Sequence, residues 1–339
     1  MFKEKEMLFL FTETPLHAGS GSNLGVVDLP IQRETHTNYP IIQFSGIKGA
    51  IRELAEERMG LWEVRKNKDV LANKEKTEKE RLKREEEEIL KFIEIAFGPE
   101  TERADKHGGA LSFTDARVVL FPVRSLKGVF AWITSPDALS YLKRDLEILG
   151  KALEWEAEDV PPSDTAYVSN GSDLTIGKER QKIILEECAF NTVSNENVDK
   201  IAKWLKDNAF LESYKYWKDK LCKEEGSVMS SNLVILPNDA YRDFLTFSTE
   251  VVQRIRITHE TGTVARGALW TEEYLPKDTL LYTMVTSTDP KGGNPPDKLK
   301  DAKGIINFLN NKVLDTQLLQ LGGDKTGTRG LVRVRIYGG

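Results

Sequence analysis

The sequence predicts an α+β protein built on a ferredoxin-like core, β-α-β-β-α-β, carrying large insertions. Three observations predict it. The apolar run MLFLFTETPL near the start and the alternating run LVRVRI near the end both read as strands. Residues 46–59 and 297–311 have helical apolar spacing, and each follows a strand. Residues 111–123 and 128–134 read as two strands joined by a short turn. The same order underlies the common RNA-recognition module, whose sheet face stacks bases. That module's aromatic motif is missing here, so a scaffold likeness says little about activity. With 339 residues, one elaborated domain spanning 1–339 is expected.

The elements follow in order. Met7 to Leu16 is a strand apolar enough for burial on both faces, ended by Pro15. Residues 17–40 form a long loop rich in Gly, Asn, Thr and Pro, a length that is usually functional. A short strand, Pro40 to Phe44, leads to a helix from Gly46 to Met59, with Ser45 as N-cap. Its stripe is Ile47, Ala50, Ile51, Leu54 and Ala55, while Lys48 and Arg52 share another face. Residues 60–97 are a charged helical insertion with pairs such as Glu75/Lys79, and Ile89, Phe92, Ile93 and Phe97 bring its end back to the core. A helix from Asp137 to Leu149 follows. Residues 155–182 are polar and turn-rich, which predicts a projecting arm or hairpin. A second helical insertion spans 196–226. In the strand Val251 to Ile257, Arg254 and Arg256 face away from Ile255 and Ile257. A strand at 279–286, a helix at 297–311 and a glycine-rich loop at 322–330 precede the final strand.

Composition excludes several functions. Charged residues make up 30% and the net charge is −5, which argues against a generic polybasic nucleic-acid binder but leaves room for a basic groove. Cys188 and Cys222 lack any CxxC spacing, so neither a zinc knuckle nor a disulfide framework is expected. One disulfide is compatible with the pair, and two buried thiols in a reducing cytoplasm are the expected state. The N-terminal stretch lacks a signal-peptide pattern, and no window is long and apolar enough to span a membrane, so no membrane partner is expected. The glycine loop precedes a strand and opens no helix, which excludes P-loop and Rossmann readings.

The most informative stretch is HAGSGSNLGVVDLPIQRETHTNYPIIQFSGIKGAIR, from His17 to Arg52. A flexible Gly/Ser loop leads to an isolated carboxylate, Asp28, and then to a cationic helix start. By residue type alone Asp28 reads as a turn cap. A loop carboxylate can also coordinate a divalent ion or position a hydroxyl. Five segments in order, TPLHAGSGSNLGVVDLPIQRETHTNYP, GIKGAIR, DARVVLFPVRSLKGVFAWITSP, STEVVQRIRITHETGTVARGALWTEEYLP and LGGDKTGTRG, resemble the repeat-associated (RAMP) superfamily of CRISPR proteins. They are most similar to the backbone subunits of type III-B (Cmr) effector complexes, with WTEEYLP and FPVRSLKG favouring III-B over III-A.

The resemblance implies a palm, fingers and thumb arrangement. It implies several copies wound along one CRISPR RNA (crRNA), beside other Cmr subunits, with target RNA cut at regular intervals by metal-dependent attack of its own 2′-hydroxyl. It places the thumb hairpin at 155–190 and the catalytic aspartate at Asp28, in the loop 17–40. Magnesium or manganese suits such an oxygen ligand. It gives His17 a catalytic or RNA-contacting position and makes Glu272 and Tyr274 candidates for orienting the scissile nucleotide. Lys48 and Arg52 are expected on guide phosphates, at a helix start that itself favours anions. Arg124, Lys127, Arg254 and Arg256 would extend that track, and Gly322 and Gly323 would let the backbone approach RNA. Two other roles are compatible with the pattern: a structural crRNA-binding filament subunit without chemistry, and the equivalent type III-A subunit. A guide-processing nuclease fits less well, because no acid–base pair stands out.

Overall fold

A computed structural model describes residues 2–22, 25–70, 76–99, 107–157, 159–177, 181–225, 228–258, 260–292 and 294–338. Glu75 of the expected pair with Lys79, and parts of the 155–190 and 196–226 segments, fall outside them.

The first strand, β1 (Glu4–Thr12), is buried on both faces, and β2 (Ile41–Ile42) leads into α1 (Phe44–Arg58). Ile47, Ile51 and Ala55 form the buried stripe of α1, as the spacing predicts. Ser45 is not the cap. The helix begins two residues earlier than expected, and the Asp115 carboxylate accepts from the backbone N–H of Phe44 at 2.8 Å. Helices α2 (Leu61–Val70) and α3 (Lys76–Phe97) follow, joined by Arg65–Glu86 and Lys68–Glu86 ion pairs. Next come β3 (Leu111–Phe113), β4 (Ala116–Ser125), β5 (Val129–Thr134) and α4 (Pro136–Ile148).

Strands β6 (Thr165–Val168), β7 (Lys182–Leu185) and β8 (Cys188–Ser194) precede α5 (Glu196–Asn208) and α6 (Lys215–Leu221). Then come β9 (Cys222–Glu225), β10 (Val228–Ser231), β11 (Leu233–Ile235) and α7 (Asn238–Phe247). The chain ends with β12 (Glu250–Ile257), β13 (Val264–Tyr274), β14 (Leu280–Ser287), α8 (Ala302–Phe308), β15 (Leu318–Gln320) and β16 (Leu331–Tyr337). The helix expected over 297–311 is broken: Asp301 caps α8 through the Gly304 N–H, after a short 3₁₀ turn, and a π turn follows.

This is a mixed α/β fold. Four strands lie side by side in the order β16-β1-β14-β4, all antiparallel. Helix α1 falls between β1 and β4 in the chain, and α8 between β14 and β16. Successive side chains of a strand point to opposite faces. Leu8 and Leu10 of β1 join the core made by α1, α3 and α8, and Met7, Phe9 and Phe11 join the core made by α4 and α5. Both faces of β1 are therefore covered, unlike the open base-stacking face of an RNA-recognition module.

The sheet continues as β4-β5-β11-β6-β8-β7 and returns to β4 through Ser125↔Leu185, closing a barrel-like ring. That closure corrects the projecting arm expected at 155–182. Strands β6 and β7 are woven into the ring, and Trp155, Ala157, Ala166, Val168, Leu174, Ile183 and Leu185 are buried. Its polar turns hide short strands whose apolar positions bury only once the ring closes. The hairpin that stands as a two-stranded sheet of its own is β12–β13, with Val251, Ile255, Ile257, Val264 and Leu269 exposed. A register shift between Ile255 and Ile257 interrupts the alternation expected there. Both cysteines are free. Cys222 is buried, but Cys188 is exposed, against expectation. No described helix is long and apolar enough to cross a membrane.

Candidate active site

The described residues of the loop 17–40 are not structureless. Its two arms pair with each other at Gly19↔Ile31, and both fasten to β13 and the residue after it. Leu16 pairs with Leu275, and Leu29 pairs with Glu272 in parallel register. The Leu29 N–H donates to the Thr271 carbonyl, and the Glu273 N–H donates to the Leu29 carbonyl, each at 3.0 Å. The Glu273 carboxylate accepts from the Ile31 N–H at 3.0 Å and from the Thr249 hydroxyl at 2.8 Å, and it pairs with Arg33 at 2.5 Å. Gln32 donates to the Gly19 carbonyl and accepts from the N–H of Gln43, coupling the loop to the start of α1.

This zipper fixes Asp28. Its Oδ2 accepts two hydrogen bonds from Thr271, one from the backbone N–H at 2.8 Å and one from the hydroxyl at 2.9 Å. The Asp28 N–H donates back to the Thr271 hydroxyl oxygen at 3.0 Å. The backbone N–H of Thr271, and then its hydroxyl, hold the Asp28 carboxyl below the ordinary carboxylate range. The side chain is exposed, and Oδ1 accepts from no other residue among the described residues.

On the opposite face of β13 a polar cluster closes over two side chains, with Arg254 and Asp324 partly exposed at its rim. Glu272 and Tyr274 are buried. The Tyr274 hydroxyl donates to Glu272, lies 2.6 Å from Asp324 Oδ2, and accepts from Arg254 at 2.8 Å. Arg254 also donates to Glu272 and to Asp324, each at 3.0 Å, and the Trp270 indole donates to Glu272 at 2.7 Å. Burial pushes Glu272 up, but the hydrogen bonds from Tyr274, Trp270 and Arg254, with the charge of Arg254, outweigh it and bring its carboxyl down to about 2. Burial and the two carboxylates push the Tyr274 phenol well up, so it stays protonated.

His17 joins this face. Its ring lies 5.5 Å from that of Tyr274, and Nδ1 is 2.6 Å from the Glu273 carbonyl. A carbonyl only accepts, so Nδ1 carries the proton and Nε2 is turned toward Gly19. The glycine loop closes over His17: the Gly323 N–H donates to the His17 carbonyl at 3.0 Å. A Cβ on Gly322, where φ is +75°, would sit 2.2 Å from that carbonyl oxygen. The two glycines thus serve a close approach to His17's own backbone. Arg329 covers the Tyr274 ring at 4.9 Å.

The structure therefore gathers His17, Glu272, Tyr274, Arg254, Gly322 and Gly323, with Asp28 on the neighbouring edge of the same strand. The other cations lie apart. Lys48 is half-buried, bonded to the Leu111 carbonyl, and lowered by burial and by Arg52 and Lys291. Arg52 is committed to Glu56 and the Gly98 carbonyl. Arg124 pairs with Glu186, and Lys127 reaches the Thr175 carbonyl, both at the β4–β5 turn. Arg256 is exposed at the register shift of β12 and makes no ion pair among the described residues. Sequence reading missed Thr271, Asp324, Trp270 and Arg329. Only the alternation along TEEY hinted that Thr271 and Glu272 face opposite ways.

An α/β body with a loop carboxylate pinned beside a sealed polar cluster is the class that this geometry defines. The chain belongs to the RAMP superfamily, whose family model matches residues 10–333. It is 37% identical over 328 residues to the CRISPR system Cmr endoribonuclease Cmr4 of Pyrococcus furiosus, covering 96% of this chain and 94% of that one. It is 24% identical to CRISPR system CMR subunit Cmr4 of Saccharolobus solfataricus, again covering 96% and 94%. Among solved structures, oligomeric Cmr4 from Pyrococcus furiosus superposes with a TM-score of 0.64 at 27% identity, covering 98% of this chain and 97% of that one. A chain of a type III-B Cmr-beta complex bound to cognate target RNA shares the fold, with a TM-score of 0.65 at 19% identity, covering 99% and 98%.

Proposed function

We propose that this chain is the backbone endoribonuclease subunit of a type III-B Cmr effector complex. In this reading it lies along crRNA beside further copies of itself and other Cmr subunits, and cuts complementary target RNA next to Asp28. The carrying observation is the exposed Asp28 carboxylate, pinned through one oxygen and open at the other. RNA supplies its own nucleophile, so a cutting subunit needs only to orient the 2′-hydroxyl in line with the leaving 5′-oxygen and to manage protons. Asp28 Oδ1 positions that hydroxyl and takes up its proton. His17, held by the Glu273 carbonyl, contacts RNA or, as an imidazolium carrying a second proton on Nε2, gives that proton to the leaving 5′-oxygen. Glu272 and Tyr274 hold this geometry from behind and do not touch the scissile nucleotide.

The order β16-β1-β14-β4 with intervening α1 and α8 supports the ferredoxin-like reading of the core. The exposed β12–β13 hairpin, and not residues 155–190, suits the thumb that separates guide from target. Of the cations expected on RNA, Arg256 is exposed and makes no ion pair among the described residues and Arg124 is exposed but paired with Glu186, while Lys48 and Arg52 would first have to loosen protein bonds.

A divalent cation, magnesium or manganese, fits only in part. The described residues hold no group of three or more His, Cys, Asp or Glu able to cage a metal. Asp28 would give one ligand, and phosphate oxygens and water the rest. Such a cation would neutralise charge building on the phosphate. The test is an Asp28→Ala variant in the assembled complex: target binding stays and cutting is lost. Unchanged cutting would leave the non-catalytic filament subunit as the better reading.

A further inference from the structure

We infer that Thr271 is the positioning residue for the Asp28 carboxylate. The inference rests on the catalytic reading of Asp28 above. An exposed aspartate on a loop ordinarily samples several rotamers, and effective catalysis demands a reacting group held close to one geometry. Here a single residue supplies both restraints. The Thr271 N–H and hydroxyl converge on Oδ2, at 2.8 and 2.9 Å, which fixes the carboxylate plane. The same hydroxyl oxygen accepts from the Asp28 N–H at 3.0 Å, so one hydroxyl ties down both the side chain and the backbone of residue 28.

Thr271 is itself rigid. It sits in β13 opposite Gln253 of β12, and its carbonyl accepts from the Leu29 N–H. Its β-branched side chain has few rotamers. The hairpin thus transmits its position to the carboxylate through one side chain. Oδ1, which Thr271 does not touch, is left as the outward atom.

The role can be separated from simple structural support. Thr271→Val keeps shape, branching and the backbone N–H, and removes only the hydroxyl, hence two of the three bonds to Asp28. In the reconstituted complex with pre-bound target, the single-turnover cutting rate should fall about tenfold, the effect of losing roughly one well-placed hydrogen bond. Target affinity and the unfolding midpoint of the chain should stay at parental values. Thr271→Ser restores the hydroxyl and should bring the rate back to within about twofold. An undiminished rate in Thr271→Val, or a Ser variant as slow as Val, overturns the inference. So does a loss confined to target affinity. Asp28→Ala run in parallel keeps the two ideas distinguishable: if it cuts normally, the catalytic reading of Asp28 fails; if it is dead while Thr271→Val is normal, only the positioning inference fails.

Discussion

Thr271 and Glu272 are neighbours in β13, yet they serve opposite environments. Thr271 turns to the loop and holds an exposed carboxylate with one free oxygen. Glu272 turns inward, where Tyr274, Trp270 and Arg254 satisfy it and Asp324 completes the cluster. The period of the strand thus sets Asp28, held by Thr271, apart from Glu272: the first carboxylate is exposed and the second is buried. On the proposed reading, accessibility and an open lone pair give the chemistry to Asp28 and leave the buried Glu272 as scaffold.

Variants on the two faces should therefore fail differently. Glu272→Ala strands the Trp270 indole and leaves Arg254 and Tyr274 with Asp324 alone as carboxylate partner, so it should lower unfolding stability by about 3 kcal/mol, read by denaturant titration. Tyr274→Phe removes one hydroxyl from a cluster that Arg254 still neutralises, and a loss of about 1 kcal/mol is expected. If either variant instead kept full stability and lost only cutting, the sealed face would be catalytic and the comparison would break.

The pH dependence sharpens the same contrast. The folded Glu272 carboxyl lies at about 2, below its ordinary value of 4.5. A depressed carboxyl contributes stability that is fully present above its unfolded value and drains away as pH falls through the folded one. The unfolding midpoint should then fall between about pH 4.5 and 2, and less steeply in Glu272→Gln. The smallest effect is expected at Arg256. An exposed cation touching phosphate contributes about one unit to the salt dependence of binding, so Arg256→Ala should flatten the log–log salt slope by about one and leave cutting of bound target unchanged.

Much of the fold was legible because its signals are local. The apolar run of β1, the alternation of β16 and the stripe of α1 each declare themselves within one window. Residues 155–190 misled because short strands with polar turns bury their apolar positions only when β7 meets β4, some sixty residues earlier in the chain. The cap of α1 was misplaced for a related reason, since Asp115 arrives from a distant loop. At the site, Asp28 stood out through resemblance, but the residue that holds it did not. Thr271 is an unremarkable type 243 positions away, and Asp324 meets Arg254 across 70. Such pairings are set by tertiary register, which no single window contains.

On the proposed reading, the free oxygen of Asp28 needs its charge. Asp28→Asn keeps the shape and can still accept from Thr271, but replaces the outward oxygen by an amide. Single-turnover cutting of pre-bound target should fall by about a hundredfold or more, with target affinity unchanged. Cutting at the parental rate by this variant would contradict the account.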